Sequence, residues 1–382
     1  TPATGIVLYT FDRRHSPITS GVVQRLLAIA AQGRGAHDDV FAKVGDSITA
    51  MPEFATCFAS GAYDLAAHTA LAPTLDYYLQ GNAGGTSPYA RTSQAAYGGW
   101  TAADLLAGSP APVDAEVAAI APRVALVLIG TNDNRYARPL SAFGTDLWTV
   151  VDRLIGDGVV PALSTMPPIH SDPTTDARVA VFDLVVRAIA QGRQVPLVDL
   201  YRELVPLPNE GIGGDGIHPS VAPDGPCDFQ PADLQYGFDV RNLIELEQLD
   251  RVRAALAGTA SDASAPSRVG SGRASDPVLA SLPLADLADS RDGDPAFAFA
   301  ACPPAGGARQ IVYQLQLASP ATIDAYAFTH AGDAAIHVLA GAPAESACIA
   351  GGQGEVTASL PAGTSYLVAG GTGEIVVAAL AR

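Results

Sequence analysis

Between residues 20 and 256, short apolar runs alternate with amphipathic segments, and few folds accommodate such an alternation. "RVALVLIG" (123–130) carries no charge after Arg123, as expected of a strand buried on both faces. "VVPALSTMPP" (159–168), "VPLVDL" (195–200) and the run ending at Gly45 read the same way. Helical spacing of apolar residues marks 20–32, 113–122, 143–158, 176–192 and 237–256, with a shorter helical stretch at 103–108. Strand, helix, strand, helix predicts a parallel sheet covered on both faces.

The texture changes after "GTASDASAPSRVGSGRASDP" (258–277), a Ser/Ala/Gly/Pro-rich run without hydrophobic period that reads as a linker. Beyond it lie β-like runs at 310–317, 321–329, 334–341, 355–360, 364–371 and 374–380. Their spacing predicts an antiparallel, jelly-roll-like β-sandwich. The expected organisation is an α/β unit over 1–257, a linker over 258–278 and an accessory sandwich over 279–382. His330 and His337 fall in or beside sandwich strands and read as packing or surface residues.

Of 382 residues, 48% are hydrophobic, which supports a large core, yet no apolar run approaches the roughly 20 residues of a membrane span. The net charge is −17 and Lys43 is the only lysine among 22 basic residues. No basic stripe exists to neutralise phosphates, so nucleic acid is excluded as a partner and an uncharged substrate fits best. The first residue is Thr, which reads as a chain whose targeting segment has been removed. None of the four cysteines forms a CxxC pair, so zinc and redox motifs lack support. Three disulfide pairings are open on paper. The division into halves favours Cys57–Cys227 with Cys302–Cys348, against the alternative of four buried thiols. Disulfides imply an oxidising location, extracellular, periplasmic or at the cell surface.

"FAKVGDSITA" (41–50) places Ser47 at the carboxyl edge of the sheet, where α/β folds bind ligands. A serine there is a helix cap or a nucleophile. "LIGTNDN" (128–134) brings Asn132 to the same edge, with a side-chain amide able to donate to an oxyanion. "GGDGIHPS" (213–220) holds Asp215 and His218 three residues apart, the spacing that shares one face of a helical turn. "AYGGWTAADLL" (96–106) supplies a Gly-Gly turn whose backbone N–H can point into the cleft.

In these four stretches the chain resembles the SGNH (GDSL-type) serine hydrolases, over roughly residues 20–256. "GDSIT" matches the first block, with Ile48 where Leu is familiar, "GTND" the third and "DGIHP" the fifth. The second-block glycine falls on Gly99, with Gly98 as the alternative. The resemblance implies a flavodoxin-like three-layer α/β/α sandwich. It also implies Ser47 as nucleophile, His218 as base, Asp215 as its orienting acid, and an oxyanion hole of Ser47, Gly99 and Asn132. Asp46 is expected to brace the turn. No cofactor or metal is needed, and "SRDGDP" (290–295) lacks calcium-loop spacing. Trp100, Asn134, Tyr136, Met166 and His170 are candidates for the substrate pocket, and the aromatic-bearing stretch 74–92 for contact with sugars. The expected substrate is a small-molecule ester or acetylated polysaccharide. Lipid-ester or thioester hydrolysis, and glycan or surface binding without catalysis, are the alternatives. The C-terminal part resembles the pre-peptidase C-terminal-like β-sandwiches, in "LPLADLADS" (282–290), "YQLQLASPATIDAYAF" (313–328), "IHVLAG" (336–341) and "SLPAGTSYLVAGG" (359–371).

Overall fold

The computed structural model describes residues 5–33 and 35–382, so Thr1 lies outside it. The first part runs α1 (Ser20–Ala30), β1 (His37–Gly45), α2 (Ser47–Ala50), α3 (Thr56–Ser60), α4 (Ala72–Leu79), α5 (Pro112–Ile120) and β2 (Pro122–Leu128). It continues with α6 (Thr131–Arg135), α7 (Leu140–Gly156), β3 (Val160–Ser164), α8 (Pro173–Arg193), β4 (Leu197–Val198), α9 (Leu200–Leu204) and α10 (Gly237–Leu256).

Strands β1 to β4 lie side by side in chain order, all parallel, with Val44 opposite Val127, Leu126 opposite Ala162 and Leu163 opposite Leu197. On the other edge of β1 a further parallel strand is reduced to a single bridge, Gly45 with Ala96. Helices α1, α4 and α10 pack on one face, and α5, α7 and α8 on the other. This is the expected three-layer α/β/α sandwich. Helix α8 starts where Pro173 follows Asp172, whose carboxylate accepts the Thr175 N–H at 2.8 Å.

Two sheets form the C-terminal sandwich. One has the order β11 (Cys348–Gln353), β10 (Ala335–Ala340), β13 (Gly363–Gly371), β7 (Arg309–Leu317), β5 (Val278–Ala280). The other has β12 (Glu355–Leu360), β8 (Ala321–Thr329), β14 (Glu374–Ala381), β6 (Leu284–Asp289), with β9 (Gly332–Asp333) beside β8. The pairing is antiparallel except that β5 runs parallel to β7, a departure from the all-antiparallel expectation. His337 is a packing residue: it is buried, stacked at 3.7 Å on Phe299 and hydrogen-bonded to the Pro304 carbonyl. His330 stacks on Trp148 of α7.

The sandwich is docked closely on the α/β unit. Ala285, Leu287, Phe328, Val376 and Ala378 belong to the same apolar core as the α/β helices. A Cβ on Gly192 of α8 would come within 2.5 Å of Leu287, so only glycine lets β6 lie this close. Arg193 adds a polar clamp, donating to Asp152 of its own unit and to Glu374 of the sandwich, each at 2.8 Å. Residues 258–277 carry neither helix nor ladder strand, and they are pinned. Leu8 N–H donates to the Pro266 carbonyl and Arg268 N–H to Ile6, both at 2.8 Å, while Asp262 accepts from Ile18 N–H and Arg251. Both expected disulfides are formed, Cys57–Cys227 and Cys302–Cys348.

Candidate active site

β1 ends at Gly45, where any side chain would collide with the Leu128 carbonyl at the end of β2. Glycine is therefore required by the approach of two strand ends, and the chain turns at once into α2 with Ser47 as its first residue. Asp46 caps that helix, its Oδ1 accepting the Ile48 N–H at 3.0 Å. It braces the turn, as the sequence suggested.

His218 closes on Ser47 from 171 residues away: Nε2 lies 2.8 Å from Ser47 Oγ. Its Nδ1 lies 2.6 Å from Asp215 Oδ2, while Asp215 Oδ1 accepts the N–H groups of Ile217 (2.9 Å) and His218 (3.0 Å). The expected helical turn is absent. Asp215 meets His218 through a side-chain-to-backbone turn, so one carboxylate folds the loop and holds the imidazole together. Burial pushes the Asp215 carboxyl up, but hydrogen bonds from His218 and the loop backbone outweigh this and hold it below the ordinary carboxylate range.

Asn132 stands on α6, which begins where Gly130 turns with φ +124°. A Cβ there would sit 2.8 Å from the Phe143 ring. The Asn132 amide is fixed at both ends: Nδ2 donates to the Trp100 carbonyl at 3.0 Å, and Oδ1 accepts from Arg135 at 3.3 Å. One of its two N–H bonds is left for a reacting oxygen. Gly98 and Gly99 are exposed beside it; a Cβ on Gly98 would lie 3.9 Å from Ser47 Cβ, one on Gly99 3.7 Å from Tyr136 Oη.

The pocket candidates divide. Trp100 and Tyr136 stand at the rim with the two glycines. His170 is exposed, bonds Glu210 at 2.7 Å and donates its backbone N–H to Gly216 of the Asp215–His218 loop. Asn134 and Met166 are fully buried, and Asn134 spends its amide on the Thr175 carbonyl at 2.8 Å. Neither reaches the cleft, because α6 turns Asn134 toward α8. Of the tyrosines of 74–92, Tyr78 and Tyr89 pack edge-on against Phe41 in the core, and Tyr77 stays half-buried beneath Arg253.

Two supports escaped the sequence reading. Asp133, fully buried, accepts the Ala102 N–H at 2.9 Å and pairs with Arg138, tying the Gly-Gly loop to the Asn132 helix. Arg241, from α10, reaches beneath the Ser47 turn and donates to the Ile48 carbonyl at 2.6 Å and to Thr49 Oγ1 at 3.0 Å. Its guanidinium lies 3.8 Å over the Phe54 ring. Both partners are far away in sequence, and neither motif nor spacing announces them.

Burial raises four of the acids around this frame: Asp46 and Asp133 to about 6, Asp239 and Glu245 to about 7. A carboxyl raised on folding binds protons more tightly in the native state, so its contribution is present below the unfolded value and is lost as pH rises through the folded one. Asp215 and Asp172, held low, act in the opposite sense and lose their contribution only in strong acid. Thermal stability should therefore be highest at about pH 4, fall between about pH 4 and pH 7 and level off by about pH 8, which scanning calorimetry across pH checks. A flat profile from pH 5 to 8 would contradict the burial of these carboxyls.

Residues 44–222 match the model of the GDSL-like lipase/acylhydrolase family. No curated protein matches the chain. Among solved structures, the chain is similar to a catalytic mutant of an acetylxylan esterase from Geobacillus stearothermophilus. That likeness has 19% identity, covers 57% of this chain and 95% of that one, and has a TM-score of 0.38. A GDSL-like lipase from Bacteroides thetaiotaomicron is 13% identical, with 60% and 98% covered and a TM-score of 0.36. The psychrotrophic esterase EstA from a Pseudoalteromonas species is 17% identical, with 48% and 88% covered and a TM-score of 0.33. Likenesses this distant say nothing of the substrate.

Proposed function

We propose, from the match of residues 44–222 to the GDSL-like lipase/acylhydrolase family model, that the protein hydrolyses short-chain carboxylic esters, O-acetyl groups on carbohydrate among them, through an acyl-enzyme on Ser47. The observation that carries this reading is the unbroken chain of hydrogen bonds from Asp215 through His218 to Ser47 Oγ. His218 Nε2 takes the hydroxyl proton as Oγ attacks the ester carbonyl, and Asp215 holds Nδ1–H in the matching tautomer and stabilises the imidazolium. The proton then passes to the departing alkoxide. Water, deprotonated by the same imidazole, attacks the acyl-enzyme and releases the acid.

The negative oxygen of each tetrahedral intermediate would lie among the Ser47 N–H, the Asn132 amide and the N–H of Gly99, or of Gly98, which approaches Ser47 Cβ. Such preorganised donors contribute on the order of 10²–10³ in rate apiece. Among the described residues no helix is long and apolar enough to cross a membrane. The two disulfides suit work in an oxidising compartment, as a secreted or surface-exposed enzyme.

Hydrolysis of p-nitrophenyl acetate, butyrate and octanoate tests the acyl preference. The expected order in kcat/KM is acetate or butyrate well above octanoate. Preference for octanoate would overturn the short-chain reading in favour of a lipid ester.

A further inference from the structure

The two most exposed large apolar side chains of the described residues are Tyr97, 64% exposed, and Tyr136, 58% exposed. Both belong to the loops that carry the oxyanion donors. Tyr97 directly precedes Gly98, and its N–H donates to the Gly45 carbonyl at the nucleophile turn. Tyr136 ends α6, its N–H bonded to the Asn132 carbonyl at 2.8 Å, and its hydroxyl faces Gly99. Trp100 lies behind Tyr97, with ring centroids 5.5 Å apart. An exposed ring forgoes the stabilisation that burial of 150–250 Å² would give. Here two of them frame one turn, while Tyr78 and Tyr89 of 74–92 are locked in the core.

We propose that Tyr97 and Tyr136 form a stacking platform for an uncharged glycan chain, on which the scissile ester is presented to Ser47. This rests on the ester-hydrolase reading above and extends it from a bond to a polymer. Tyrosine offers a flat apolar face to the C–H side of a sugar ring and a hydroxyl to its polar edge, at little cost in rotamer entropy. A lipid surface would call for a contiguous aliphatic patch, whereas these are single rings set apart by glycines. The chain's net charge of −17 disfavours an anionic polymer. Arg135, the cation beside the platform, already donates to Asn132 Oδ1.

Two measurements on acetylated xylan decide the matter. Equilibrium binding is compared between Ser47→Ala and Ser47→Ala carrying Tyr97→Ala and Tyr136→Ala, so that no turnover intervenes. The platform predicts at least a tenfold weaker Kd in the triple variant. In the active background, the double tyrosine variant should lose at least tenfold in the ratio of kcat/KM on acetylated xylan to that on p-nitrophenyl acetate, mainly through KM. Unchanged binding would overturn the platform whatever the ratio shows, as would loss of binding to phosphatidylcholine vesicles with glycan binding intact. Turnover persisting in Ser47→Ala would overturn the acyl-enzyme reading instead. The binding comparison, made without turnover, decides the platform by itself.

Discussion

Ser47→Ala is expected to lower kcat on p-nitrophenyl acetate by on the order of 10⁴-fold or more, with the fold unchanged. The two parts of this prediction have separate physical grounds. Activity falls because the proposed nucleophile is gone, and removing the serine of such a triad costs about as much as removing all three members. Residual turnover would come from oxyanion donors and bound water alone. The fold survives because Ser47 Oγ bonds only to His218 among the described residues, and Ser47 is half-buried. The turn is held by other groups: the close strand contact at Gly45, the Asp46 cap and the Arg241 donors. Near-UV circular dichroism and the urea midpoint should match the wild type within about 0.5 kcal/mol, the usual scale for a change that breaks no buried contact. A variant that kept more than a tenth of wild-type kcat would remove Ser47 from the mechanism. One that failed to fold would show that the hydroxyl serves the architecture as well.

The sequence disclosed the α/β half because its strands are buried on both faces and its connecting helices on one. From Val124 onward β2 is an unbroken apolar run, and β3 is apolar up to Ser164, the pattern of strands buried on both faces. The same logic failed where burial was bought with polar side chains. β6 reads LADLAD, and Asp286 within it is buried, held by the Tyr313 hydroxyl at 3.0 Å and the Gln191 amide at 3.2 Å. A strand with an internal acid looks like a turn until its partners, nearly a hundred residues away in one case, are seen. β11, CIAGGQ, offered only glycines. The strand before Gly98 shrank to one bridge at Ala96, too short to carry any period. At the candidate site, Ser47, Asn132, Asp215 and His218 stood out in the sequence because the proposed chemistry uses those residue types in short fixed contexts. Asp133 was not, since it acts through the backbone of Ala102, and nothing local records which loop a carboxylate will fold against. The aromatic residues misled for a related reason: whether a tyrosine is core or rim depends on the far side of the sheet.

Helix α10 gives the sharpest case, because its buried face carries Arg241, Asn242, Glu245 and Gln248, all at most 5% exposed. Helical spacing located the helix but not the burial of these polar side chains. Burial lowers the Arg241 guanidinium to about 10, countered by Glu245 and Asp46. Those two acids, raised by burial, are held down in turn by the same cation. Arg241→Met keeps the length and apolar stem of the side chain but removes the charge and its donors, leaving the Ile48 carbonyl and the Thr49 hydroxyl beneath the nucleophile unserved. Breaking a buried charge network from one side costs about 3–5 kcal/mol, so a large fall in the urea midpoint is expected. The penalty should also depend on pH, with a definite sign. Below pH 6 the two acids are mostly protonated in the folded wild type, and loss of the cation costs mainly hydrogen bonds and the contact with Phe54. Above pH 7 the folded wild type carries them as carboxylates beside Arg241. The variant must then either keep buried charges without a partner or hold protons that the unfolded chain would release, and both penalise folding increasingly as pH rises. Urea midpoints of wild type and variant at pH 5 and pH 8 therefore give the larger difference at pH 8. An equal difference at both would mean that Arg241 acts only as a hydrogen-bonding strut, with no electrostatic hold on the acids under Ser47.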